Sequence, residues 1–318
     1  MAPRSGRRGA LPTGGPTQQR RCALLHLIAA SLIWAFSFGL IKTQLAGIDP
    51  ALLAFLRLAL AAAVLAPWLS RRVTAGVRGA LLGLGAVQFG LMYMFYLAAY
   101  AHLPAYGVAV ATIFTPLYVA FLEDALRRRL VGRHVLAAAL AVAGAAVVQF
   151  RGDVPGATGG FLLVQASNLA FAVGQVLYRR VAPAASRPHR DARDGPGRPA
   201  AAPPADDAAA MAWMYVGAAL LAGTAALLFG DRSRWTVPAD AWLVIAYLGL
   251  LPTAVGFYLW NRGAARTSAG ILAVSNNLKV PLAVGVAWLV FGESADHVRV
   301  LGGLSLLVAA LFVAGRER

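Results

Sequence analysis

Ten apolar runs, each about as long as a helix that crosses a bilayer, dominate this 318-residue sequence. Only helices and closed barrels satisfy their backbone hydrogen bonds in lipid, and a spanning helix needs about 20 apolar residues. Of all residues, 59% are hydrophobic and 13% are charged, whereas a soluble domain carries about 25% charged residues. The sequence therefore predicts an all-α membrane protein with ten transmembrane helices. The predicted spans are residues 22–41, 51–69, 79–100, 104–122, 135–150, 158–178, 209–229, 241–260, 267–291 and 298–315.

Positive charge is distributed unevenly among the segments that connect these spans. If both termini are cytoplasmic, the inside segments hold 22 of the 29 Lys and Arg residues and the outside segments hold 5. The other two, Arg57 and Lys279, lie within spans. Cytoplasmic loops of membrane proteins carry such an excess, which explains the net charge of +16 without a nucleic-acid partner. We therefore expect an integral protein of the cell (inner) membrane with both termini cytoplasmic.

Two polar stretches divide the chain. Residues 1–21 are rich in Arg, Gly and Pro and predict a disordered cytoplasmic tail, and residues 180–208 predict a disordered, Pro-rich cytoplasmic loop. The first half, 22–152, and the second half, 158–315, contain five predicted spans each. Because five is odd, the second half must enter the membrane from the opposite side. Two inverted five-helix repeats of this kind are an architecture of secondary transporters.

A weak internal repeat supports this division. Phe95-Tyr96-Leu97 in span 3 recurs as Phe257-Tyr258-Leu259 in span 8, and Pro116 in span 4 matches Pro281 in span 9. Proline has no N–H group, so Pro116 and Pro281 should interrupt their helices and free the carbonyl four residues earlier. Each match is weak by itself, but the matches occur in the same order in both halves.

Span 9 carries the most unusual polar cluster, Asn276, Asn277 and Lys279, just before Pro281. An ionisable residue at the depth of the membrane midplane usually faces protein or a water-filled cavity and marks a functional site. The alternative is that Lys279 extends to the interface while the asparagines join helices. We favour a ligand site. Because no Asp or Glu lies in the middle of a predicted span, we expect Lys279 to bind a solute carboxylate.

Further polar and aromatic residues lie near the middle of spans. Arg57 lies about two turns into span 2, and its role stays open between extension to the interface and ligand contact. Nine other polar or aromatic residues could together line one solute site, although each of them, considered alone, more often serves helix packing. The other candidates are Trp34, Ser37, Gln88, Tyr93, Tyr96, Thr112, Asn168, Gln175 and Asn261.

Several motifs together resemble the EamA-type members of the drug/metabolite transporter superfamily. These are Ala30-Ser31-Leu32-Ile33-Trp34-Ala35 in span 1, Phe55-Leu56-Arg57 in span 2, Lys279-Val280-Pro281-Leu282-Ala283 leading to Gly292-Glu293, and Gly302-Gly303 in the last span. The resemblance covers residues 22–315. It implies a secondary transporter that moves small organic solutes, such as amino acids or other carboxylate-bearing metabolites, by alternating access, with export as the favoured direction.

Two other classes of membrane protein compete with a carrier. A channel or lipid scramblase is the first alternative, although channels tend to show charged rings or oligomeric symmetry. A membrane-embedded enzyme is the second, but the sequence has no nucleophile–base or metal-ligand pattern. We therefore expect no enzyme activity, no cofactor and no metal. The expected partners are a small solute and the lipid bilayer, and a homodimer is compatible with the sequence.

Overall fold

The computed structural model describes residues 16–70, 73–128, 131–149, 157–185, 207–264, 279–280, 282–292 and 296–315. Every regular element in these residues is helical, as the sequence predicts. Seven helical stretches among them are long and apolar enough to cross a membrane, and they agree with predicted spans 1–4 and 6–8. These stretches are Leu24–Gln44, Pro50–Leu69, Ala75–Ala99, Ala105–Leu126, Thr158–Tyr178, Ala208–Phe229 and Ala241–Ala264.

The remaining predicted spans are only partly covered. Span 5 overlaps a helix of 18 residues, and span 10 overlaps a helix of 19 residues. Most of span 9, together with Asn276, Asn277 and Pro281, lies outside the described residues. The helices are α1 (Pro16–Gln44), α2 (Pro50–Leu65), α3 (Ala75–Gly85), α4 (Met92–Ala99), α5 (Ala105–Ala111), α6 (Thr115–Leu126), α7 (Gly132–Gln149), α8 (Ala157–Ala185), α9 (Asp207–Phe229), α10 (Ala241–Leu248), α11 (Gly256–Ala264), α12 (282–289) and α13 (His297–Gly315).

Two boundaries differ from the predicted ones. Helix α1 begins at Pro16, before the predicted start at residue 22, so the polar residues just before the apolar run are part of the helix. Helix α8 continues to Ala185, beyond the predicted end at residue 178. Residues 1–15 of the predicted tail and 186–206 of the predicted loop lie outside the described residues.

The helices pack into two apolar clusters. In the larger one, α9 packs against α2 and α3, α8 packs against α4, and α1 packs against α11. The smaller one joins α5, α6, α7, α12 and α13, with α7 and α13 in extensive contact. The cavity described below is lined by residues of both α1 and α6, and so lies where these two groups of helices meet.

Three irregular segments interrupt the long helices. A π-helical segment, Ala86–Leu91, separates α3 from α4, and a second, Gly249–Val255, separates α10 from α11. A short 3₁₀ turn, Thr112–Phe114, separates α5 from α6, and Pro116 lies in the first turn of α6. Such segments free backbone carbonyls for other partners, and π-helical turns are frequent at functional sites.

A hydrogen-bonded clasp joins the connections α1–α2 and α9–α10 at one end of the bundle. Asp49 is the N-cap of α2: its Oδ1 accepts from the backbone N–H of Leu52 at 2.9 Å. Its Oδ2 accepts from the backbone N–H of Asp231 at 3.0 Å. The Nε of Arg234 donates to the carbonyl of Gly47 at 2.8 Å. These bonds fix the N-terminus of α2, the helix that carries Arg57.

Candidate functional site

A cavity lies in the interior of the helix bundle, beside the break between α5 and α6. The space between the atoms that line it, together with the open solvent at its mouth, amounts to about 570 Å³. Its lining is mostly aromatic and hydroxyl-bearing, with two cationic side chains. The lining residues are Trp34, Ser37, Phe38, Arg57, Met92, Tyr93, Tyr96, Thr112, Thr115, Ser167, Asn168, Phe171, Phe257 and Lys279.

The Arg57 guanidinium is one of the two cations. Its residue is 1% exposed, so it lies inside the bundle and does not extend to the interface. Nη2 donates to the Tyr93 hydroxyl at 3.1 Å and to the Thr253 hydroxyl at 3.2 Å, and the guanidinium carbon lies 4.4 Å from the centre of the Tyr93 ring. Nε and Nη1 have no acceptor among the described residues. They are donors that water or a solute oxygen can satisfy.

A proline in the second π-helical segment explains how Arg57 is held. Pro252 has no N–H to give to the carbonyl of Leu248, and the Thr253 hydroxyl donates to that carbonyl instead, at 2.7 Å. The same hydroxyl accepts the bond from Arg57 and lies 3.0 Å from the Tyr93 hydroxyl. Thr253 thereby connects the helix break to the orientation of the guanidinium.

The Lys279 ammonium is the second cation. Its Nζ lies 5.2 Å from the centre of the Trp34 ring, a cation–π distance. The indole N–H of Trp34 donates to the carbonyl of Pro252 at 2.8 Å, which fixes the ring in the cavity wall. No Asp or Glu stands among the lining residues that the structure describes. Two cations without a lining carboxylate make the cavity favourable to an anion.

Aromatic rings form the apolar part of the wall. The centroids of Trp34 and Phe257 are 4.8 Å apart, and those of Phe171 and Phe257 are 5.7 Å apart. Phe38 meets Tyr96 edge-on at 5.9 Å. Rigid rings of this kind bury a large apolar area at small cost in conformational entropy. The cavity can therefore hold a solute that combines an anionic group with an apolar body.

The break between α5 and α6 supplies two hydroxyl groups of the lining, those of Thr112 and Thr115, and backbone carbonyls that accept hydrogen bonds. The carbonyl of Ala111 accepts from Nδ2 of Asn168 at 2.8 Å, and the carbonyl of Thr112 accepts from the Thr115 hydroxyl at 2.8 Å. The sequence led us to expect a freed Thr112 carbonyl. In the structure its acceptor capacity is used by Thr115, a residue that the sequence reasoning did not select.

Comparison with known proteins identifies the family of this chain. The sequence profile of the EamA-like transporter family matches residues 21–150 and 203–315. The chain belongs to this family. It is an integral membrane protein and a small-solute transporter.

Several relatives of this EamA-family chain are similar along nearly their whole length. A "Probable biotin transporter" of Pseudomonas aeruginosa is 36% identical over 91% of this chain and 96% of its own. The "Biotin transporter" of Escherichia coli K12 is 31% identical over 90% and 91%. A "Probable terminal-alkyne amino-acid exporter" of Streptantibioticus cattleyicolor is 28% identical over 93% and 94%. A crystal structure with 23% identity has a TM-score of 0.65 over 92% of this chain and 98% of its own, which shows a shared fold.

The structure brings most of the predicted site residues of this EamA-family chain into the one cavity. Gln88 and Gln175 are buried but do not line it, and Asn276 and Asn277 lie outside the described residues. The predicted residues that line the cavity are Trp34, Ser37, Arg57, Tyr96, Thr112, Asn168 and Lys279, together with Tyr93.

Sequence reasoning missed the apolar neighbours of these residues and one hydroxyl that holds Arg57. Phe38, Met92 and Phe171 each lie three or four residues from a predicted lining residue and so share its helix face. The repeat motif pointed to Phe257 but gave it no role in the site. Thr253 was missed because its signal, the mid-span Pro252 beside it, was not used.

Proposed function

We propose that the chain is a secondary transporter of a small carboxylate-bearing metabolite, with biotin as the first candidate, that works by alternating access. The observation that carries this proposal is the pair of cations, Arg57 and Lys279, in one aromatic cavity whose described lining has no acidic side chain. A guanidinium binds carboxylates in bidentate geometry, and an ammonium adds a second charge-assisted hydrogen bond.

The names of the relatives agree with this chemistry. Biotin and amino acids both carry a carboxylate, although they differ in the rest of the molecule. The aromatic wall of Trp34, Phe171 and Phe257 suits an apolar ring and chain better than the compact body of most amino acids. This favours biotin, or a solute of its shape, over amino acids. The family resemblance favours export, and a measurement of net transport distinguishes export from uptake.

Lys279→Met should weaken biotin binding by about tenfold or more, because it removes a charge-assisted hydrogen bond while keeping most of the apolar stem. The quantity measured is the biotin concentration that half-saturates counterflow of the labelled solute in vesicles containing the purified protein. Counterflow also separates a carrier from a channel, since outward flow of unlabelled solute drives transient accumulation of labelled solute through a carrier but not through a pore.

Biotin methyl ester is the matched control ligand, since it lacks the negative charge. It should compete weakly with biotin in the wild type, and Lys279→Met should reduce the difference between acid and ester. Equal competition by acid and ester in the wild type would contradict the proposed carboxylate site. Net transport is measured with biotin supplied first inside and then outside the vesicles, which gives its direction.

We infer a topology of ten helices in two inverted repeats, 22–152 and 158–315, with both termini cytoplasmic in the cell membrane. The family profile matches the chain in two segments, one in each half. The third span-length helix of the first half, Ala75–Ala99, and its counterpart Ala241–Ala264 each contain a π-helical segment. This agreement, with the arginine asymmetry, supports the repeat.

Single cysteines test this topology. In a variant without Cys22, cysteines at Gly76 and at the C-terminal end should react only with a reagent on the cytoplasmic side. Cysteines at Gly47 and Ser233, in the connections that form the clasp, should react only from outside. Gly76, Gly47 and Ser233 are all exposed, so a lack of reaction reports sidedness and not burial. Reaction of Gly76 and Gly47 from the same side would overturn the arrangement.

A further inference from the structure

Gln88 is a buried amide side chain that does not line the cavity described above. It lies in the π-helical segment Ala86–Leu91 and is 0% exposed. Neither Nε2 nor Oε1 has a hydrogen-bond partner among the described residues. Buried polar side chains in folded proteins nearly always have partners, because an amide loses its hydrogen bonds to water on burial. A side chain with both amide atoms unsatisfied is therefore suited to a partner that binds in another state.

A second buried amide lies on α8, the helix that packs on Gln88. Gln175 is 5% exposed, and its Nε2 has no acceptor within the described part of the chain. Its neighbour Gly174 packs directly on Gln88: a Cβ at Gly174 would overlap Cβ and Cγ of Gln88 and come within 2.8 Å of its Oε1. A glycine at this position lets α8 approach the π-helical segment, so that the two glutamines come from facing helices.

Both amides lie about one helical turn from the cavity. Met92, which lines the cavity, is four residues after Gln88, and Phe171, which also lines it, is four residues before Gln175. Phe257 lines the cavity and packs on Phe89, the residue next to Gln88, with ring centroids 5.0 Å apart. An extension of the cavity by one turn past these rings would bring the amides into it. Gln88 itself lies in a π-helical segment, and such segments inside α-helices are frequent at functional sites.

We propose that Gln88 and Gln175 form a second subsite, which binds an uncharged amide or cyclic urea group of the solute while Arg57 and Lys279 hold its carboxylate. This inference rests on the proposed function and adds the part of the solute that the cations do not recognise. A cyclic urea has one carbonyl acceptor and two N–H donors. The primary amide of Gln88 offers the complementary donor and acceptor, and Nε2 of Gln175 offers a second donor.

The test compares two carboxylic acids that share a chain but differ in the ring. Biotin carries a cyclic urea, whereas lipoate carries a similar carboxylate-terminated chain on a ring without a urea. Gln88→Met keeps the length of the side chain and removes both polar atoms. It should weaken biotin binding to the purified full-length protein by about tenfold, the loss of one or two hydrogen bonds, and leave lipoate binding unchanged. Calorimetric titration gives both Kd values, and Gln175→Met should act in the same direction.

The stability of the ligand-free protein gives an independent measure. An amide that has no partner in this state does not stabilise it, so Gln88→Met should leave the melting temperature unchanged or raise it. Gln44→Met, the same change at an exposed position at the end of α1, is the matched control and should alter neither ligand.

Three results would overturn this subsite. An unchanged ratio of biotin to lipoate affinity in Gln88→Met would remove it and leave the carboxylate site standing. A lower melting temperature with both ligands weakened equally would make Gln88 a structural residue. If the wild type binds neither acid nor any other carboxylate tested, the proposed function fails first, and the subsite fails with it.

Discussion

Arg57→Met is expected to reduce the uptake of biotin by vesicles containing the purified protein by about 100-fold, the equivalent of about 3 kcal/mol. Arg57 lines the cavity, and two of its donor groups have no acceptor among the described residues. A carboxylate in the cavity would accept charge-assisted hydrogen bonds from this group, which are about twice as strong as neutral ones. Methionine keeps an unbranched apolar stem but offers no donor.

The fold should tolerate this change, which separates binding from folding. The known contacts of Arg57 are hydrogen bonds to neutral hydroxyl groups, those of Tyr93 and Thr253, and a cation–π contact. A buried charge that is held only by neutral groups costs free energy, because it has lost its hydration without gaining a counter-charge. We therefore expect the melting temperature of Arg57→Met to stay close to that of the wild type or to rise.

Two variants control this experiment. Arg57→Lys keeps the charge but loses the planar fork that reaches Tyr93 and Thr253, so it should recover only a small part of the activity. Arg232→Met makes the same substitution at an exposed position in the α9–α10 connection and should transport normally. Near-normal uptake by Arg57→Met would show that the guanidinium serves only helix packing, and that the cavity binds its solute without it.

Gly217→Leu is expected to prevent recovery of folded protein from the membrane, and Gly217→Ala should lower the melting temperature clearly. Gly217 of α9 and Gly85 of α3 lie at the crossing of these helices. A Cβ at Gly217 would overlap the backbone carbonyl of Leu82, and a Cβ at Gly85 would overlap the backbone of Met214. The obstacles are backbone atoms, so only separation of the helices can relieve the overlap. Close packing across small residues drives helix association in membranes.

Gly83→Ala is the matched control, on the same helix and two residues from Gly85. No atom lies within 4 Å of the position where its Cβ would stand. Alanine favours a helix over glycine by about 1 kcal/mol, so this variant should be as stable as the wild type or more so. Thermal unfolding in detergent, followed by size-exclusion chromatography, measures all three variants. Equal melting temperatures for Gly217→Ala and Gly83→Ala would mean that the crossing is not close-packed.

Much of this protein could be predicted from its sequence because a bilayer permits few solutions. Each apolar run must form a helix to satisfy its backbone, so the class and seven of the spans follow directly from the hydropathy pattern. Because a charge in lipid is costly, the positions of Arg57 and Lys279 within apolar runs already mark them as candidate site residues. Their position in the middle of a span likewise indicates Trp34 and Asn168 as candidate site residues, because polar and aromatic side chains there tend to face the protein interior.

The tertiary structure alone decided what these residues contact. Arg57 and Thr253 are 196 residues apart in the chain and share a hydrogen bond, and no local pattern encodes such a pair. The π-helical segments also escaped prediction, because their hydrophobic pattern is that of an ordinary apolar helix. Gln88 and Asn168 are both amide side chains in the middle of predicted spans, so the sequence does not distinguish their roles. Asn168 finds the carbonyl of Ala111 at 2.8 Å, whereas Gln88 has no partner in the part of the chain that the structure describes. Which amide is satisfied depends on which backbone groups the facing helix presents to it, and that is decided by how the helices pack and not by the local sequence around each amide.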